Sequence, residues 1–419
     1  MKFIKFMLRF LFIAVVIQLS TTVFGQFAVS KSTTILSPNM VLNDEWTVPA
    51  VMKLDGDDVI HFSFDELSHT YKRYLCRVVH CNSDYSPSEL SEIEYMDGFN
   101  NFPIESWENS VNTTTLYTHY EFTIPNDNVR LLVSGNYRVE IYDEEDSENK
   151  PVVIFDFAVI APEVGINAWV SGDTDSSYNT TEQQLFFALN YSKSNVVSPA
   201  SEFIPVVYQN RRKESVVTGI TPTHVTGNEV QYFHNEKLIF PAGNEFRRFE
   251  LTDPNAPGMG VEEVIYHESA YHALLYMDKP RHSYSNWRDE NGRLYTNTLE
   301  GRGSFIEADY VNVHFALDMP FRKGGNFYLQ GDFGDLLSAD NRLEYDAQEG
   351  YYFISKLLKL GVCNYNYVWI PDEGIAGRSN CVEGDFYNTE NEYLIYIYHR
   401  EFGARYDRLV GVHSVNSNK

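Results

Sequence analysis

Apolar and polar residues alternate along most of this chain with a period of two. Stretches 59–64, 118–124 and 135–142 place apolar residues at every second position, and 152–160 closes this series. A period of two puts the apolar side chains on one face of a β-strand, whereas an amphipathic helix needs a period near 3.6. Turn residues separate the stretches at the spacing typical of β-sandwiches. We therefore predict that residues 26–161 form an N-terminal β-sandwich.

The same pattern continues in two further blocks, joined by a long polar connection over 278–303. The second block contains the strand-like stretches 185–191, 203–208, 247–251 and 270–277, and the third contains 310–317, 326–333, 351–358, 364–370 and 392–398. Helical spacing never persists for three turns. The sequence therefore predicts an all-β protein with two or three immunoglobulin-like β-sandwich domains in series, divided into 26–161, 162–303 and 304–419.

The N-terminus has the features of an export signal. Lys2, Lys5 and Arg9 form a positive region, and the apolar stretch 11–19 follows it. That stretch is too short to span a bilayer unaided, so a signal peptide over 1–25, cleaved before Gln26, is favoured over a membrane anchor. No cysteine follows the cleavage site, so lipoprotein processing is not indicated. No other stretch is long and apolar enough to span a membrane, and we expect a soluble, exported mature protein without a direct membrane span.

The charge balance excludes one class of function. The chain has 58 Asp and Glu residues against 33 Lys and Arg residues, which gives a formal net charge of −25. Such a chain repels phosphate backbones, and no basic stripe offsets the repulsion, so no nucleic-acid partner is expected. Docking on anionic lipid is disfavoured for the same reason.

Four cysteines are too few for a disulfide scaffold in an exported chain. Cys76 and Cys81 lie in one predicted strand, on opposite faces and too far apart for a bond. Cys363 and Cys381 flank a turn rich in proline and glycine, and they can either pair across a hairpin or remain buried thiols.

No residue pattern for catalysis or metal binding stands out. The chain has no glycine-rich phosphate loop, no Gly-x-Ser-x-Gly and no His-Glu-x-x-His. His267 and His272 fall in a strand-like region with odd spacing, which predicts opposite faces and poor geometry for a shared metal. Asp173 with Asp175, like the Asp55–Asp58 region, offers too few ligands for a Ca²⁺ loop. We predict no catalytic residue, no cofactor-binding residue, no metal ligand and no cofactor.

Several strings, in order along nearly the whole mature chain, resemble one family. They are 80–90 (HCNSDYSPSEL), 94–99 (EYMDGF), 117–122 (YTHYEF), 134–137 (SGNY), 243–249 (GNEFRRF), 383–385 (EGD), 389–393 (TENEY) and 403–411 (GARYDRLVG). Together they resemble the plug protein of the type IX secretion system of Bacteroidota, formerly a family of unknown function.

The resemblance implies a non-catalytic protein of the periplasm, at the inner face of the outer membrane. Such a protein binds the large outer-membrane β-barrel translocon and closes the periplasmic side of its pore. The strings do not indicate which residues make that contact. Length alone suggests the connection 278–303, with Trp287, as a segment that could face the pore.

A second resemblance concerns the third block. The strings 328–333 (YLQGDF), 349–352 (EGYY) and 359–367 (KLGVCNYNY) are similar to the immunoglobulin-like glycogen-binding module. In that module a tryptophan follows the Gly-x-Phe turn and stacks on sugar, whereas this chain continues with Gly334-Asp335-Leu336-Leu337. The resemblance supports a sandwich fold, and the missing tryptophan argues against sugar binding. A carbohydrate-binding β-sandwich protein remains the alternative function, because aromatic residues make up 15% of the chain.

Overall fold

The computed structural model describes residues 27–298, 305–374 and 379–417. Within these residues the backbone is almost entirely β, so the predicted all-β fold class is confirmed. The connections contain two one-turn helices, α1 (Glu92–Tyr95) and α2 (Pro199–Glu202), and the 3-10 turns Lys213–Ser215, Glu236–Leu238 and Ala339–Asn341. The predicted signal peptide, its cleavage site and the segment 299–303 lie outside the described residues.

The first sandwich is formed by twelve strands of the described chain, and its core is aromatic. The strands are β1 (Phe27–Ser30), β2 (Ile35–Leu42), β3 (Val51–Lys53), β4 (Ile60–Glu66), β5 (Tyr74–Cys81), β6 (Met96–Gly98), β7 (Phe102–Pro103), β8 (Ser106–Asn109), β9 (Thr118–Ile124), β10 (Val129–Leu131), β11 (Gly135–Asp143) and β12 (Pro151–Ile160). One sheet has the order β1-β12-β11-β5-β7, with β3 parallel to β12, and the facing sheet has the order β2-β4-β9-β8. Phe62, Phe64 and Tyr120 pack against Tyr74 and Phe155 between the sheets. Each such ring stabilises the fold by about 1.5 to 3 kcal/mol through burial.

Six strands begin the second sandwich. They are β13 (Gly165–Ser171), β14 (Glu182–Asn190), β15 (Phe203–Gln209), β16 (His224–Thr226), β17 (Glu229–Gln231) and β18 (Ile239–Pro241). Five of them form one sheet with the order β13-β14-β17-β16, in which β18 also pairs with β14. β15 lies outside this sheet and needs partners from elsewhere in the chain.

The third sandwich follows directly. Its strands are β19 (Arg247–Leu251), β20 (Val261–His267), β21 (Ala270–Leu275), β22 (Leu294–Thr296), β23 (Tyr310–Leu317), β24 (Gly325–Gln330), β25 (Glu344–Asp346), β26 (Tyr351–Lys359) and β27 (Gly361–Pro371). The sheet β20-β21-β23-β26-β25 faces a sheet in which β27 pairs with β19, β22 and β24. Phe249 and Tyr365 from one sheet pack with Phe315 from the other in the core.

The last two strands, β28 (Glu392–His399) and β29 (Arg408–Asn416), return to the second sandwich. β28 pairs with β15 from Phe203↔His399 to Gln209↔Tyr393, and β29 pairs with the other edge of β28. One face of β28 packs into the core of the second sandwich, and the other packs against Ala158 of the first. All eight residues of β28 are therefore buried, and this strand holds two sandwiches together.

The strand pairing crosses the predicted division between 303 and 304. β19 to β22 fall in the predicted second domain but belong to the third sandwich. β28 and β29 fall in the predicted third domain but complete the second sandwich. The third sandwich is thus an insertion between β18 and β28. Local alternation identifies a strand but not its partner, and the pairing of β15 with β28 joins positions far apart in the chain.

In the described part of the chain, no helix has the length and apolar character needed to cross a bilayer.

Candidate interaction surfaces and the junctions that position them

A buried carboxylate joins the first sandwich to the third. Asp65 on β4 is 1% exposed. Its Oδ2 accepts hydrogen bonds from Lys359 Nζ and from Tyr310 OH, both at 2.6 Å, and its Oδ1 lies 2.6 Å from His119 Nδ1. Burial alone would raise the pKa of Asp65, but the charges of Lys359 and His119 outweigh it and hold the pKa below its usual range. The junction therefore contains an ionised pair with hydrogen bonds to both carboxylate oxygens.

The loop between β8 and β9 adds further contacts at the same junction. Tyr117 OH donates to the carbonyl oxygens of Phe305 and Ala308, at 2.7 and 2.8 Å. The Asp309 carboxylate accepts from the backbone N–H of Thr114 at 2.7 Å. Because these bonds use backbone groups on both sides, they fix the relative position of the two sandwiches and not only of side chains.

All three sandwiches meet at a second junction. The carbonyl oxygen of Thr47, in the first sandwich, accepts from Arg211 at 2.7 Å and from Arg293 at 3.1 Å. Both guanidinium groups also donate to the carboxylate of Glu392, at 2.7 and 3.2 Å. Arg211 and Glu392 belong to the second sandwich and Arg293 to the third, so one carboxylate and one carbonyl tie three units together.

The string 134–137 lies at the contact between the first and second sandwiches, and its glycine is required there for steric reasons. Gly135 has φ +146°, and a Cβ there would lie 2.4 Å from Nε2 of His80 and 3.1 Å from the carbonyl oxygen of Asp407. The Asp407 carboxylate accepts from the backbone N–H of Ser83 at 2.9 Å. Burial lowers the pKa of His80 to about 4, so the ring is neutral. Only glycine allows this close approach.

The third sandwich contains a cluster of four charged side chains. Glu383, fully buried, accepts from Arg247 Nε at 3.1 Å, from Arg281 Nε at 2.8 Å and from the backbone N–H of Tyr367 at 2.9 Å. Asp278 accepts from Arg247 at 2.6 Å and from Tyr367 OH at 2.8 Å. The carboxylates are enclosed and have several donors each, which is the arrangement of a structural network.

This network changes the interpretation of the connection 278–303. Asp278 and Arg281, at its start, are held in the buried cluster. Trp287 donates its Nε1–H to the carbonyl oxygen of Phe246 at 2.8 Å. The described part of the connection, residues 278–298, is therefore packed on the third sandwich and contributes β22 to it. Trp287 is nevertheless half exposed, and the suggestion that this segment faces the pore stays a prediction.

The prediction that His267 and His272 lie on opposite faces of a strand is wrong. Glu268 and Ser269 have positive φ angles of 48° and 64° and form a two-residue hairpin between β20 and β21. The hairpin brings the two histidine rings to 6.3 Å, and His272 Nδ1 lies 2.9 Å from Nε2 of His314. A hairpin reverses the chain, so odd spacing no longer means opposite faces. Among the described residues, no group of three or more potential ligands could hold a metal ion.

The aspartates at the two sites weighed for calcium lie in surface loops. Asp175 accepts from Gln184 and pairs with His234, both at 2.7 Å, whereas Asp173 is exposed. Asp58 accepts a hydrogen bond from a backbone N–H of its own loop. Asp58 therefore stabilises its own turn, whereas Asp175 joins its loop to Gln184 and His234.

The four cysteines are thiols in the structure. Cys76 and Cys81 are buried in the first sandwich. Cys363 lies in the core of the third sandwich, and Cys381 packs against that core without a bond to Cys363. Burial raises the pKa of the Cys81 thiol to about 12, so it is protonated and unreactive at neutral pH.

The surface carries two aromatic groups that pack against the protein. Trp107, on the edge strand β8, lies 5.0 Å from the ring of Tyr71, and a groove of about 170 Å³ runs from it to His119 and Phe305. Trp169, on β13, stacks on Phe186 at 5.3 Å. His234 links the second group to an open acidic basin of about 370 Å³, because its ring contacts Phe186 and pairs with Asp175. The basin is lined by Asp175, Ser176, Glu182, Glu236 and Ile239.

A third group consists of the most exposed large apolar side chains. Four of them are 79% to 105% exposed: Phe99, Val197 and Phe402 lie in loops, and Ile93 lies in the one-turn helix α1. Sequence reasoning missed them because a lone apolar residue in a turn gives no periodic signal.

Two neighbouring buried carboxyls make stability depend on pH. Burial raises the pKa of Glu245 to about 7, although Tyr284 OH and the backbone N–H of Glu390 donate to it, and burial raises the pKa of Asp289 nearby to about 6. A raised folded-state pKa means that folding takes up protons. The favourable contribution of this proton uptake to the free energy of unfolding is therefore complete below the unfolded-state pKa, near 4.3, and it is lost as the pH rises toward 7.

We therefore expect Glu245→Gln to be more stable than the wild type at pH 8, by about 1 to 3 kcal/mol, and indistinguishable from it at pH 4.5. The amide keeps the acceptor oxygen and removes the charge. Urea unfolding at both pH values measures the difference. Glu263→Gln, at an exposed position, should show none; an equal gain for both variants would contradict the assignment.

Comparisons with known proteins fit this architecture. With three interlocked sandwiches and buried junctions between them, the chain is a multidomain all-β protein. The family model for the type 9 secretion system plug protein 1st domain matches residues 35–161, which is the first sandwich without β1. The crystal structure of a hypothetical protein from Parabacteroides merdae is 36% identical, with a TM-score of 0.91, covering 94% of this chain and 99% of that one. No curated protein matches. The chain belongs to the type IX secretion system plug protein family.

Proposed function

We propose that this protein is a non-catalytic periplasmic plug that binds the outer-membrane translocon of the type IX secretion system and closes the periplasmic side of its pore. The observation that carries the proposal is the match of the first sandwich to the plug family. Family membership supports a role in type IX secretion and an envelope location. Pore closure and binding of the β-barrel are the steps that we infer beyond it.

The junctions support a steric role. A plug must keep its shape when it covers an opening, and here three sandwiches are held by ionised pairs and backbone hydrogen bonds. The shared strand β28 is buried on both faces between two of them. Opening the first sandwich relative to the third would break the buried ion pair between Asp65 and Lys359 and expose both charged groups. This favours a body that binds and leaves as one unit.

The experiment is affinity purification of a tagged full-length copy from native membranes in mild detergent. We expect an outer-membrane protein of the size of a large β-barrel in near-equal amount, identified by mass spectrometry. Channel recordings of the purified barrel should show lower conductance after the plug is added back. A protein that purifies alone, or that leaves conductance unchanged, would overturn the proposal.

One observation favours the alternative, carbohydrate binding. Trp169 stacks on Phe186, and His234 links Phe186 to Asp175 in the acidic basin of the second sandwich. Aromatic rings near carboxylates suit sugar faces and hydroxyl groups. A glycan array that shows binding by the wild type and not by Trp169→Ala would establish this second function. Equal absence of binding in both proteins would remove it.

A further inference from the structure

Four large apolar side chains extend from the protein at one end. Phe402 is 105% exposed, Val197 89%, Ile93 84% and Phe99 79%. These four residues, which we call the apolar tips, lie outside the buried clusters of the described chain. An exposed aromatic ring that packs on a neighbour, such as Trp169 on Phe186, has a reason within the fold. The apolar tips have the highest exposure of any large apolar residues described and have no such reason.

The loops that carry the apolar tips are tied to one another. The loop between β28 and β29 carries Phe402, and its Arg405 pairs with Glu94 of α1, the helix that carries Ile93. In the same helix, Glu92 accepts a hydrogen bond from Asn100 at 3.0 Å, and Asn100 directly follows Phe99.

The fourth tip is joined through α2. The backbone N–H of Arg400 donates to the carbonyl oxygen of Glu202 at 2.9 Å, and His399 pairs with the Glu202 carboxylate at 3.1 Å. Glu202 also accepts from the backbone N–H of Ser198, which directly follows Val197, at 2.8 Å. The four tips therefore lie on a continuous set of loops at the contact between the first and second sandwiches.

Charge decides what kind of surface would cover the tips. Glu89 and Glu92 beside them form no salt bridge with any described residue, whereas Arg405 is neutralised by Glu94. The chain as a whole has a net charge of −25. An anionic lipid surface would repel this end, since acidic groups approach the headgroups together with the apolar side chains. A protein recess with an apolar floor and basic side chains at its rim complements both features.

We propose that the apolar tips are the docking surface of this protein, and that they insert into apolar recesses with basic rims on the periplasmic face of the secretion pore. This inference rests on the proposed function. The rigid body then covers the opening while four side chains at one end supply the contact. Apolar anchors at the centre of a contact carry most of its binding energy.

The test uses the full-length protein and the purified pore complex in detergent. We expect the double variant Ile93→Ser/Phe402→Ser to bind the pore complex at least about 10-fold more weakly than the wild type in biolayer interferometry. Its urea unfolding curve should match the wild-type curve, because neither side chain packs in the fold. Tyr178→Ser/Phe321→Ser removes two other exposed rings, 72% and 58% exposed, and should bind like the wild type.

The outcomes separate the two proposals. A wild-type protein that does not bind the pore complex overturns the proposed function. Wild-type binding that the Ile93/Phe402 variant retains overturns the docking surface and leaves the plug function intact. Binding of the wild type to phosphatidylglycerol vesicles, lost in that variant, would also overturn the inference and assign the tips to a membrane surface.

Discussion

Replacing Lys359 by methionine is expected to lower the free energy of unfolding by about 3 to 5 kcal/mol. The Lys359 ammonium lies 2.6 Å from Asp65, and both side chains are 1% exposed. Methionine fills much of the same volume but removes the positive charge that offsets the burial of the Asp65 carboxylate. Urea unfolding followed by tyrosine and tryptophan fluorescence measures the loss.

The Lys359→Met substitution should also loosen the junction between the first and third sandwiches, because Asp65 belongs to the first and Lys359 to the third. Hydrogen exchange should rise in 106–118, which contacts the third sandwich, before it rises in the cores. The double variant Asp65→Asn/Lys359→Met should recover part of the stability, since it removes both charges. Lys279→Met breaks a surface pair at 3.8 Å and should cost less than about 1 kcal/mol. Similar losses for Lys279 and Lys359 would contradict the buried pair.

The second large effect is expected at Glu383. Glu383→Gln keeps the shape of the side chain but leaves Arg247 and Arg281 with Asp278 as the one carboxylate of the cluster. Two buried guanidinium groups then share one counter-charge, and we expect a loss of about 3 to 5 kcal/mol. Thermal and urea unfolding of the full-length protein measure it.

A matched control separates charge burial from the substitution itself. Glu148→Gln removes a carboxylate that pairs with Lys150 at 2.7 Å on the surface, 65% exposed. That variant should lose less than about 1 kcal/mol. If Glu383→Gln proved equally mild, the cluster would have room for water, and its interpretation as an enclosed structural network would fail.

The lost stability at Lys359 and at Glu383 matters for the proposed function, because a plug has to be rigid. Loss of the Asp65–Lys359 pair loosens the third sandwich from the first, whereas loss of Glu383 loosens the third sandwich internally. If the plug works as one body, the Lys359→Met variant should no longer block pore conductance, even at temperatures where each of its sandwiches is still folded. The apolar tips lie on the first and second sandwiches, so binding should outlast block in that variant.

Much of the strand content was evident from the sequence because sandwich strands with one buried face alternate strictly. Residues Ile60, Phe62 and Phe64 of β4 are buried as their alternation predicts. β28 was also predicted as a strand, but its continuous apolar character has another cause. Both of its faces are covered, one by each neighbouring sandwich. A run of apolar residues does not indicate what covers them.

The sequence by itself determined the all-β class and the plug family, the latter through ordered strings that include Gly135 at a close backbone approach. The tertiary structure alone decided that β28 completes the second sandwich and that the third is inserted within it. It also brought His267 beside His272 through a hairpin, and it placed the apolar tips together at one end. Strand partners, buried ion pairs and surface groups join residues distant in the chain, and such contacts depend on how the sheets pack, which no local pattern of residues encodes.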